Sequence, residues 1–307
     1  MGKRRVWTAL AVAASLVVAV EAAAAGVFIV SRSGVEAYAD AKSGFIQVAY
    51  SLQLPTFNPK AIDLQGTAAD DAALQTLKGQ SPQLVYCVGT YAAKKVREAL
   101  PDVWIIYAMV YYPEVEGFFQ DPKMVGIASL GSTKGLSTLV KAFGAKGKSC
   151  VILHSPAVGP AVGGLISRLG ADGFDAQGRS VGNVADLAAV LGEVKEQTRL
   201  VLLLPDPLTA NGDALRYIIS TCLENRVVPV ALSENLVASG ALCASFFAPD
   251  AVGNEAARVA QAILNGVNIP TDKLVQPAVS ASAANKNTAD ALRLKVPAAL
   301  RIEVVYE

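Results

Sequence analysis

The chain has 307 residues, which is long enough for one large domain or for two lobes of ordinary size. Hydrophobic residues make up 52% of it, and 27 basic residues nearly cancel 26 acidic ones. This balance excludes a basic surface for nucleic acid and an acidic tail for a cationic partner. An aromatic content of 7% also disfavours a stacking platform for single strands.

The first 25 residues have the pattern of a secretory signal peptide. A cationic start, "MGKRR", precedes the apolar run "VWTALAVAASLVVAV", and Ala23 and Ala25 have the spacing that signal peptidase requires. The alternative is a membrane anchor that extends to Val30, but Glu21 interrupts that stretch and a charge inside a bilayer is costly. We therefore predict a cleaved signal over 1–25 and a periplasmic or other extracytoplasmic location.

Apolar strand runs alternate with amphipathic helical patterns along the rest of the chain. In chain order, the predicted strands are 26–31, 60–65, 83–89, 103–110, 123–129, 150–155, 179–183, 198–204, 227–232 and 240–247. The predicted helices are 34–52, 67–80 (capped by Thr67), 90–100, 135–144, 161–170, 184–194, 212–226, 248–266 and 285–301. Continuous apolar strands between helices are typical of parallel sheets covered on both faces. Because one sheet would need too many strands, we predict an α/β protein of two doubly wound lobes with a ligand cleft between them.

Four cysteines, Cys87, Cys150, Cys222 and Cys243, are irregularly spaced and form no C-x-x-C pair. Disulfides can form in an exported protein, but Cys87 and Cys150 lie in or beside apolar strand runs. We therefore expect buried free thiols.

Several motifs that carry chemistry fail on spacing or order. The segment "GAKGKS" (144–149) contains the end of a phosphate-binding loop, but Ala142 replaces its first glycine, and the segment follows a helix and precedes a strand. The chain has no G-x-G-x-x-G or G-x-S-x-G motif, and its single histidine excludes a histidine cluster around a metal. The sequence therefore predicts no cofactor, no metal site and no catalytic residues.

Polar or aromatic residues follow the predicted strands at their carboxyl ends, where open α/β sheets bind ligands. Arg32 is suited to hold a carboxylate, Asp206 or Glu234 to hold an ammonium group, and two adjacent tyrosines to form a wall. The candidate ligand-binding residues are Ser31, Arg32, Ser33, Gly89, Thr90, Tyr111, Tyr112, His154, Ser155, Asp206, Ser233 and Glu234.

The pair His154-Ser155 also invites comparison with a hydrolase. Neighbouring residues of a strand point to opposite faces, so the two are poorly placed as nucleophile and base. Ser155 precedes Pro156, which favours extended backbone there. Ser155 is thus either a loop or helix-cap serine or a contact for a solute, and catalysis is disfavoured.

The last hundred residues carry a family likeness. The segments "SENLVASGALCASFFAPDAVGNEAARVAQAILNGVNIP" and "NKNTADALRLKVPAAL" resemble the substrate-binding proteins of ABC transporters with the type I periplasmic binding protein fold, in the branch that includes binders of aromatic amino acids. The strand and loop at Asp206-Pro207 are also similar. The matching residues are Gly240-Ala241-Leu242, Asp250, Gly253, Ala256-Ala257, Ile263-Leu264, Gly266, Asn285, Thr288-Ala289, Leu292, Leu294 and Pro297.

The resemblance implies a monomer with two lobes that are linked by three crossings and close on a small solute, with no catalysis. Lobe 1 would comprise 26–113 and 240–270, and lobe 2 would comprise 114–239 and 271–307. The implied partners are an ABC permease and its ATPase. Members with amino-acid ligands tend to carry a serine–glutamate–asparagine pattern after the strand at 150–153, where this chain has His154-Ser155-Pro156. Because this chain keeps only the serine of that pattern, the resemblance implies a small organic solute, with an amino acid or a related compound as one candidate, and does not define it further.

Two other functions are compatible with the sequence. A ligand-sensing module for a membrane receptor kinase would share the fold and the cleft. A secreted enzyme, which is less favoured, would have to use Asp206, Glu234 or Ser155. A repressor of similar fold is excluded, because the N-terminus predicts a signal peptide and not a helix-turn-helix.

Overall fold

The computed structural model describes residues 26–145 and 147–307. The predicted signal peptide, 1–25, lies outside these residues. Within the described ranges, no helix combines the length and the apolar character needed to cross a membrane.

Lobe 1 is built on a sheet of six parallel strands. These are β1 (Val27–Arg32), β2 (Ile62–Leu64), β3 (Leu84–Val88), β4 (Trp104–Ala108), β5 (Met124–Ile127) and β11 (Leu274–Val275), in the order β11-β5-β4-β3-β1-β2. Its helices are α1 (Glu36–Ser51), α2 (Ala69–Gly79), α3 (Thr90–Ala99) and α10 (Pro249–Leu264). Every residue of β3 is buried, which is why its sequence is a continuous apolar run.

Helices α1 and α10 lie unusually close together on lobe 1. A Cβ atom at Gly44 would lie 2.2 Å from the carbonyl oxygen of Asp250, and one at Gly253 would lie 2.0 Å from that of Ala41. The two glycines therefore permit a backbone approach that any side chain would prevent. This contact fixes α10 to lobe 1, far along the chain from the strands that it covers.

Lobe 2 is built on a sheet of seven strands. These are β6 (Ser149–His154), β7 (Asp175–Ser180), β8 (Leu200–Leu203), β9 (Val228–Ala231), β10 (Cys243–Phe246), β12 (Ala281–Asn285) and β13 (Val304–Tyr306), in the order β13-β12-β10-β9-β8-β6-β7. Only the pairing of β12 with β10 is antiparallel among these described strands. Its helices are α4 (Thr133–Ala142), α5 (Gly159–Ala171), α6 (Leu187–Gln197), α7 (Pro207–Ala210), α8 (Gly212–Glu224), α9 (Glu234–Ala238) and α11 (Lys286–Ala291). The prediction of two doubly wound α/β lobes is confirmed.

The positions of the crossings differ from the predicted lobe boundaries. In the described chain, three segments pass between the lobes: β5 to α4, β10 to α10, and β11 to β12. Strands β5 and β11 belong to lobe 1, whereas the sequence assigned them to lobe 2, and β10 belongs to lobe 2, whereas the sequence assigned it to lobe 1. The reason is that strand pairing decides membership: β5 and β10 each extend the sheet of the strand before them.

The C-terminal elements and one cap also differ from expectation. The sequence missed β12, because "ASAAN" consists of small and polar residues with low strand propensity, and pairing with β10 is what orders it. It also missed β13, a strand of three residues that pairs with β12. Helix α11 ends at Ala291 and not at residue 301. The cap residue of α2 is Ala68 and not Thr67, and it makes no side-chain cap hydrogen bond.

The four cysteines have the environment expected of structural thiols. Cys87, Cys150, Cys222 and Cys243 are all buried and free. Burial raises the pKa of Cys150, Cys222 and Cys243 to about 12, so these thiols are protonated and unreactive at neutral pH.

Candidate functional site

The carboxyl edges of the two sheets carry the candidate residues and contact each other beside the crossings. The hydroxyl group of Tyr112, which follows β4 of lobe 1, donates a 3.0 Å hydrogen bond to the carbonyl oxygen of Pro205, which follows β8 of lobe 2. Near the first crossing, the N–H of Gly131 donates to the carbonyl oxygen of Leu232 at 2.9 Å. The predicted cleft therefore lies between edges that already touch at one side.

Two of the candidate serines of lobe 1 are occupied by neighbouring side chains. Ser31 is fully buried and donates to the carboxylate of Asp63, which also accepts a 2.9 Å hydrogen bond from Lys42. Ser33 donates to the side-chain oxygen of Gln65 at 2.9 Å. These serines join β1 to β2 and its following loop, so their hydroxyl groups are structural.

Arg32, between them, has a different environment. Its side chain is exposed, and its guanidinium carbon lies 5.3 Å from the centre of the Tyr91 ring in a cation–π contact. The hydroxyl group of Tyr91 donates at 2.8 Å to Asp70, whose carboxylate also accepts the N–H groups of Gln65 and Gly66. Arg32 and Thr90 line a cavity of about 480 Å³ on lobe 1.

Gly89 allows the loop before α3 to adopt a conformation reserved for glycine. Its φ of 92° and ψ of 155° lie in a region that other residues avoid. A Cβ atom there would lie 2.4 Å from the hydroxyl oxygen of Tyr38. Gly89 therefore positions Tyr38 and Thr90 at the carboxyl edge, and its role is conformational.

Tyr111 and Tyr112 leave lobe 1 through a kink in the backbone. Met109 has a φ of 57°, and its N–H donates to the buried hydroxyl group of Ser129 at 2.8 Å. The two tyrosine rings are tilted at 58° with centres 6.3 Å apart. Burial raises the pKa of both hydroxyl groups, and the carboxylate of Asp206 adds to the effect at Tyr112.

Asp206 is the organising residue of the lobe 2 edge. It is buried, and its carboxylate accepts the N–H of Ser155 at 2.6 Å and the N–H of Leu208 at 2.5 Å. It forms a capping box with Thr209 at the start of α7. The sequence predicted that Asp206 binds the solute. In the structure its carboxylate has a structural role, because it ties the loop after β6 to the loop after β8.

His154 and Ser155 do not form a nucleophile–base pair. The Nδ1 of His154 bonds to the carbonyl oxygen of Ser155 at 2.8 Å, and because a carbonyl only accepts, Nδ1 carries the proton. The hydroxyl oxygen of Ser155 is buried and has no hydrogen-bond partner among the described residues. The His154 ring lies close to Gly178 of β7.

Ser233 and Glu234 follow β9. The hydroxyl group of Ser233 is a second buried group without a partner in the described structure, and it makes no cap bond to α9. Glu234 instead accepts a 2.7 Å hydrogen bond from Tyr306 of β13. Burial and this bond raise the pKa of Tyr306 to about 12. The bond holds Glu234 toward β13, the edge strand of the sheet.

A cleft of about 640 Å³ lies beside the crossings and is lined by both lobes. Of the predicted residues, Tyr111 and Tyr112 line it, whereas Arg32, His154, Ser155, Asp206, Ser233 and Glu234 do not. Sequence reasoning missed the other walls, because they come from segments far apart in the chain, namely α4, α5 and the segment that contains β11, which face one cavity only in the folded protein. These include Phe119, Leu130, Thr133, Arg168, Asp172, Lys273 and Gln276.

Two of these missed residues hold α4 and α5 together. The hydroxyl group of Thr133 donates to the carboxylate of Asp172 at 2.5 Å, and Ser137 donates to the carbonyl oxygen of Asp172 at 3.0 Å. No group of three or more His, Cys, Asp or Glu side chains in the described ranges is arranged to hold a metal ion. The cleft thus presents apolar and aromatic walls with polar groups at separate points, which is the usual make-up of a small-molecule site.

Solved structures share this architecture at low sequence identity. A substrate-binding protein with adhesive properties from Clostridium difficile, in its ligand-free, open form, has a TM-score of 0.73 at 16% identity, covering 92% of this chain and 99% of that one. An ABC domain from Streptococcus pneumonia in complex with L-Trp has a TM-score of 0.61 at 15% identity, and a conserved domain protein from Vibrio cholerae has 0.60 at 19%; each comparison covers 92% of this chain and 99% of the other.

No protein-family model matches the sequence, and a search of curated proteins finds no match. At these identities the structural comparisons bear on the fold. The chain has the two-lobed fold of type I periplasmic binding proteins, so the resemblance predicted from its sequence is confirmed at the level of the fold.

Proposed function

We propose that the chain is the exported solute-binding component of an ABC import system and holds a small organic solute, an amino acid or a related compound, between its lobes. The observation that carries this proposal is the cleft of about 640 Å³ with walls from both lobes, at the carboxyl ends of parallel strands. Its volume falls in the range of small-molecule sites, which is about 300–1,000 Å³.

The buried hydroxyl groups of Ser155 and Ser233 support a polar ligand. Each lies at the carboxyl end of a lobe 2 strand and has no partner in the described structure. An unpaired buried hydroxyl group costs about 1–3 kcal/mol, and a solute that reaches it as the lobes close would recover that cost. The arrangement of His154 and Ser155 supports binding over hydrolysis, because the hydrogen bond that would activate the serine is not formed.

Closure on a solute is the expected mode of action. Three crossings permit the lobes to rotate toward each other, and a solute that contacts both lobes stabilises the closed form by its extra contacts there. A permease then distinguishes the closed, loaded protein from the open one. Delivery to a permease and ATPase, action as a monomer, and export through the signal at 1–25 are parts of the same proposal.

The decisive experiment is to purify the protein from its native host, denature it, and identify released small molecules by mass spectrometry. The proposal expects a stoichiometric organic solute that raises the melting temperature and lowers the radius of gyration when it is added back. Conversion of that solute into a product would favour an enzyme. The absence of any bound or stabilising solute would refute the proposal.

A further inference from the structure

The cavity of about 480 Å³ on lobe 1 differs from the larger cleft in its charge. Its lining contains three cationic side chains, Arg32, Lys94 and Lys95, against one anionic side chain, Glu98. Its walls also include the rings of Tyr38 and Tyr91. It lies at the carboxyl ends of β1 and β3, where the fold places ligand contacts of lobe 1.

The two lysines of this cavity already form ion pairs. Lys94 pairs with Glu116 at 2.8 Å, and Lys95 pairs with Asp71 at 3.1 Å. Arg32 makes no ion pair with any residue that the structure describes. It is therefore the cation of this cavity whose charge is available to a ligand.

Arg32 is nevertheless held in place. The Tyr91 ring supports the guanidinium group at 5.3 Å, and Asp70 fixes the Tyr91 hydroxyl group at 2.8 Å. Asp70 is itself anchored by the N–H groups of Gln65 and Gly66, each at 2.8 Å. A guanidinium group that lies over the face of a ring keeps its N–H donors free, so it is pre-organised for a bidentate acceptor.

The chemistry of the surroundings favours a carboxylate. One free guanidinium group matches a monoanion with two coplanar oxygens, whereas a phosphate dianion calls for further free cations. On lobe 2, the acidic candidates do not compete for Arg32, because Asp206 accepts backbone N–H groups and Glu234 accepts from Tyr306.

We propose that Arg32 binds a carboxylate of the solute and that the chain therefore selects small organic acids over the corresponding neutral amides. Tyr91 is a positioning residue that acts through Arg32. This inference rests on the proposed function and specifies the chemical class of its ligand. The rest of the solute would then lie against Tyr38, which lines the same cavity.

The test compares matched acids and amides as probes: benzoate with benzamide, and 3-phenylpropionate with 3-phenylpropanamide. Dissociation constants are measured by calorimetry for the wild type, Arg32→Gln, Arg32→Lys and Tyr91→Phe. Arg258→Gln is the control, because Arg258 is exposed on α10 and its loss changes the net charge equally. Circular dichroism establishes that each variant is folded.

We expect the wild type and Arg258→Gln to bind at least one acid tenfold or more tightly than its amide. The preference should vanish in Arg32→Gln, fall in Arg32→Lys, which keeps the charge and loses the fork, and fall in Tyr91→Phe without loss of amide binding. A purely structural role of Tyr91 would weaken acid and amide equally.

Several results would overturn the proposal. These are equal binding of acid and amide, an acid preference that survives Arg32→Gln, tighter binding of inorganic phosphate than of any acid, or no binding of any acid at millimolar concentration. The proposed function fails under a different result, namely that the wild type releases no small molecule on denaturation and binds no member of a broad solute library. The two failures are thus distinguishable.

Discussion

Replacement of Asp206 by alanine would remove the carboxylate that joins two loops at the edge of lobe 2. In the wild type, the backbone nitrogens of Ser155 and Leu208 lie 2.6 and 2.5 Å from the carboxylate oxygens of Asp206. The change leaves these buried N–H groups without an acceptor. Hydrogen bonds to a charged group contribute about 1.5–3 kcal/mol each, so the two together predict a loss of about 3–6 kcal/mol in the free energy of unfolding. Asp206→Asn keeps one acceptor and should lose about half of that amount.

Urea unfolding followed by circular dichroism measures this loss in the absence of solute. The control is Asp213→Ala, because Asp213 is 87% exposed and pairs with Arg216 on the surface of α8. A surface pair of this kind contributes at most about 1 kcal/mol. If Asp206→Ala unfolded at the same urea concentration as the wild type and yet lost affinity for the solute, the carboxylate would be a ligand-binding group, and the structural interpretation would be refuted.

Four further outcomes follow from contacts of the site. Gly89→Ala should cost about 1–3 kcal/mol from its backbone conformation, plus the clash with the neighbouring tyrosine hydroxyl group. Tyr112→Phe should release the contact between the lobes and increase the radius of gyration in X-ray scattering. Ser155→Ala should leave stability unchanged or raise it by about 1 kcal/mol, while it weakens solute binding. Above pH 10 the protein should unfold as buried tyrosines such as Tyr86 ionise. Burial raises the pKa of Tyr86, so the folded state is stabilised while Tyr86 is neutral, and this stabilisation is lost as the pH rises through the raised value.

Each of these outcomes has a control or a contradicting result. Gly34→Ala, with a φ of 79° and open space around the new methyl group, measures the cost of a positive φ without a clash. An unchanged radius for Tyr112→Phe would mean that the bond to lobe 2 does not restrain opening. A stability loss above about 1 kcal/mol in Ser155→Ala would mean that its hydroxyl group has a partner. Tyrosine ionisation at 295 nm without a change in circular dichroism would contradict the alkaline prediction.

The sequence predicts the elements of the fold better than their grouping into lobes. Runs such as 83–89 are apolar at every position because the strand is covered on both faces, so periodicity and length identify them. The placement of β5 and β10 depends instead on pairing with β4 and β9, which no local pattern encodes. Strand β12 is ordered by its partner and not by its own residues, and it was missed for that reason.

The candidate site shows the same division. Parallel strands end at one edge, and this rule alone predicted Arg32, Tyr112 and Ser155 as candidates there. Whether a polar group is free or occupied depends on partners far away in the chain, such as Tyr306 for Glu234, 72 residues apart. The sequence therefore identified where the polar groups lie, but it did not show that Asp206 and Glu234 are bonded within lobe 2.

The three crossings also determine how the molecule responds to a break in its backbone. Cleavage by a protease at the first crossing, 128–132, would leave the second and third crossings intact, so the lobes would stay joined in one particle. A C-terminal truncation behaves differently. Loss of everything after β9 removes α10 and β11 from lobe 1, and β10, β12 and β13 from lobe 2, so neither core is complete. Each lobe is thus a structural unit of the folded protein that is built from separate stretches of the chain. A simple truncation can therefore isolate neither lobe.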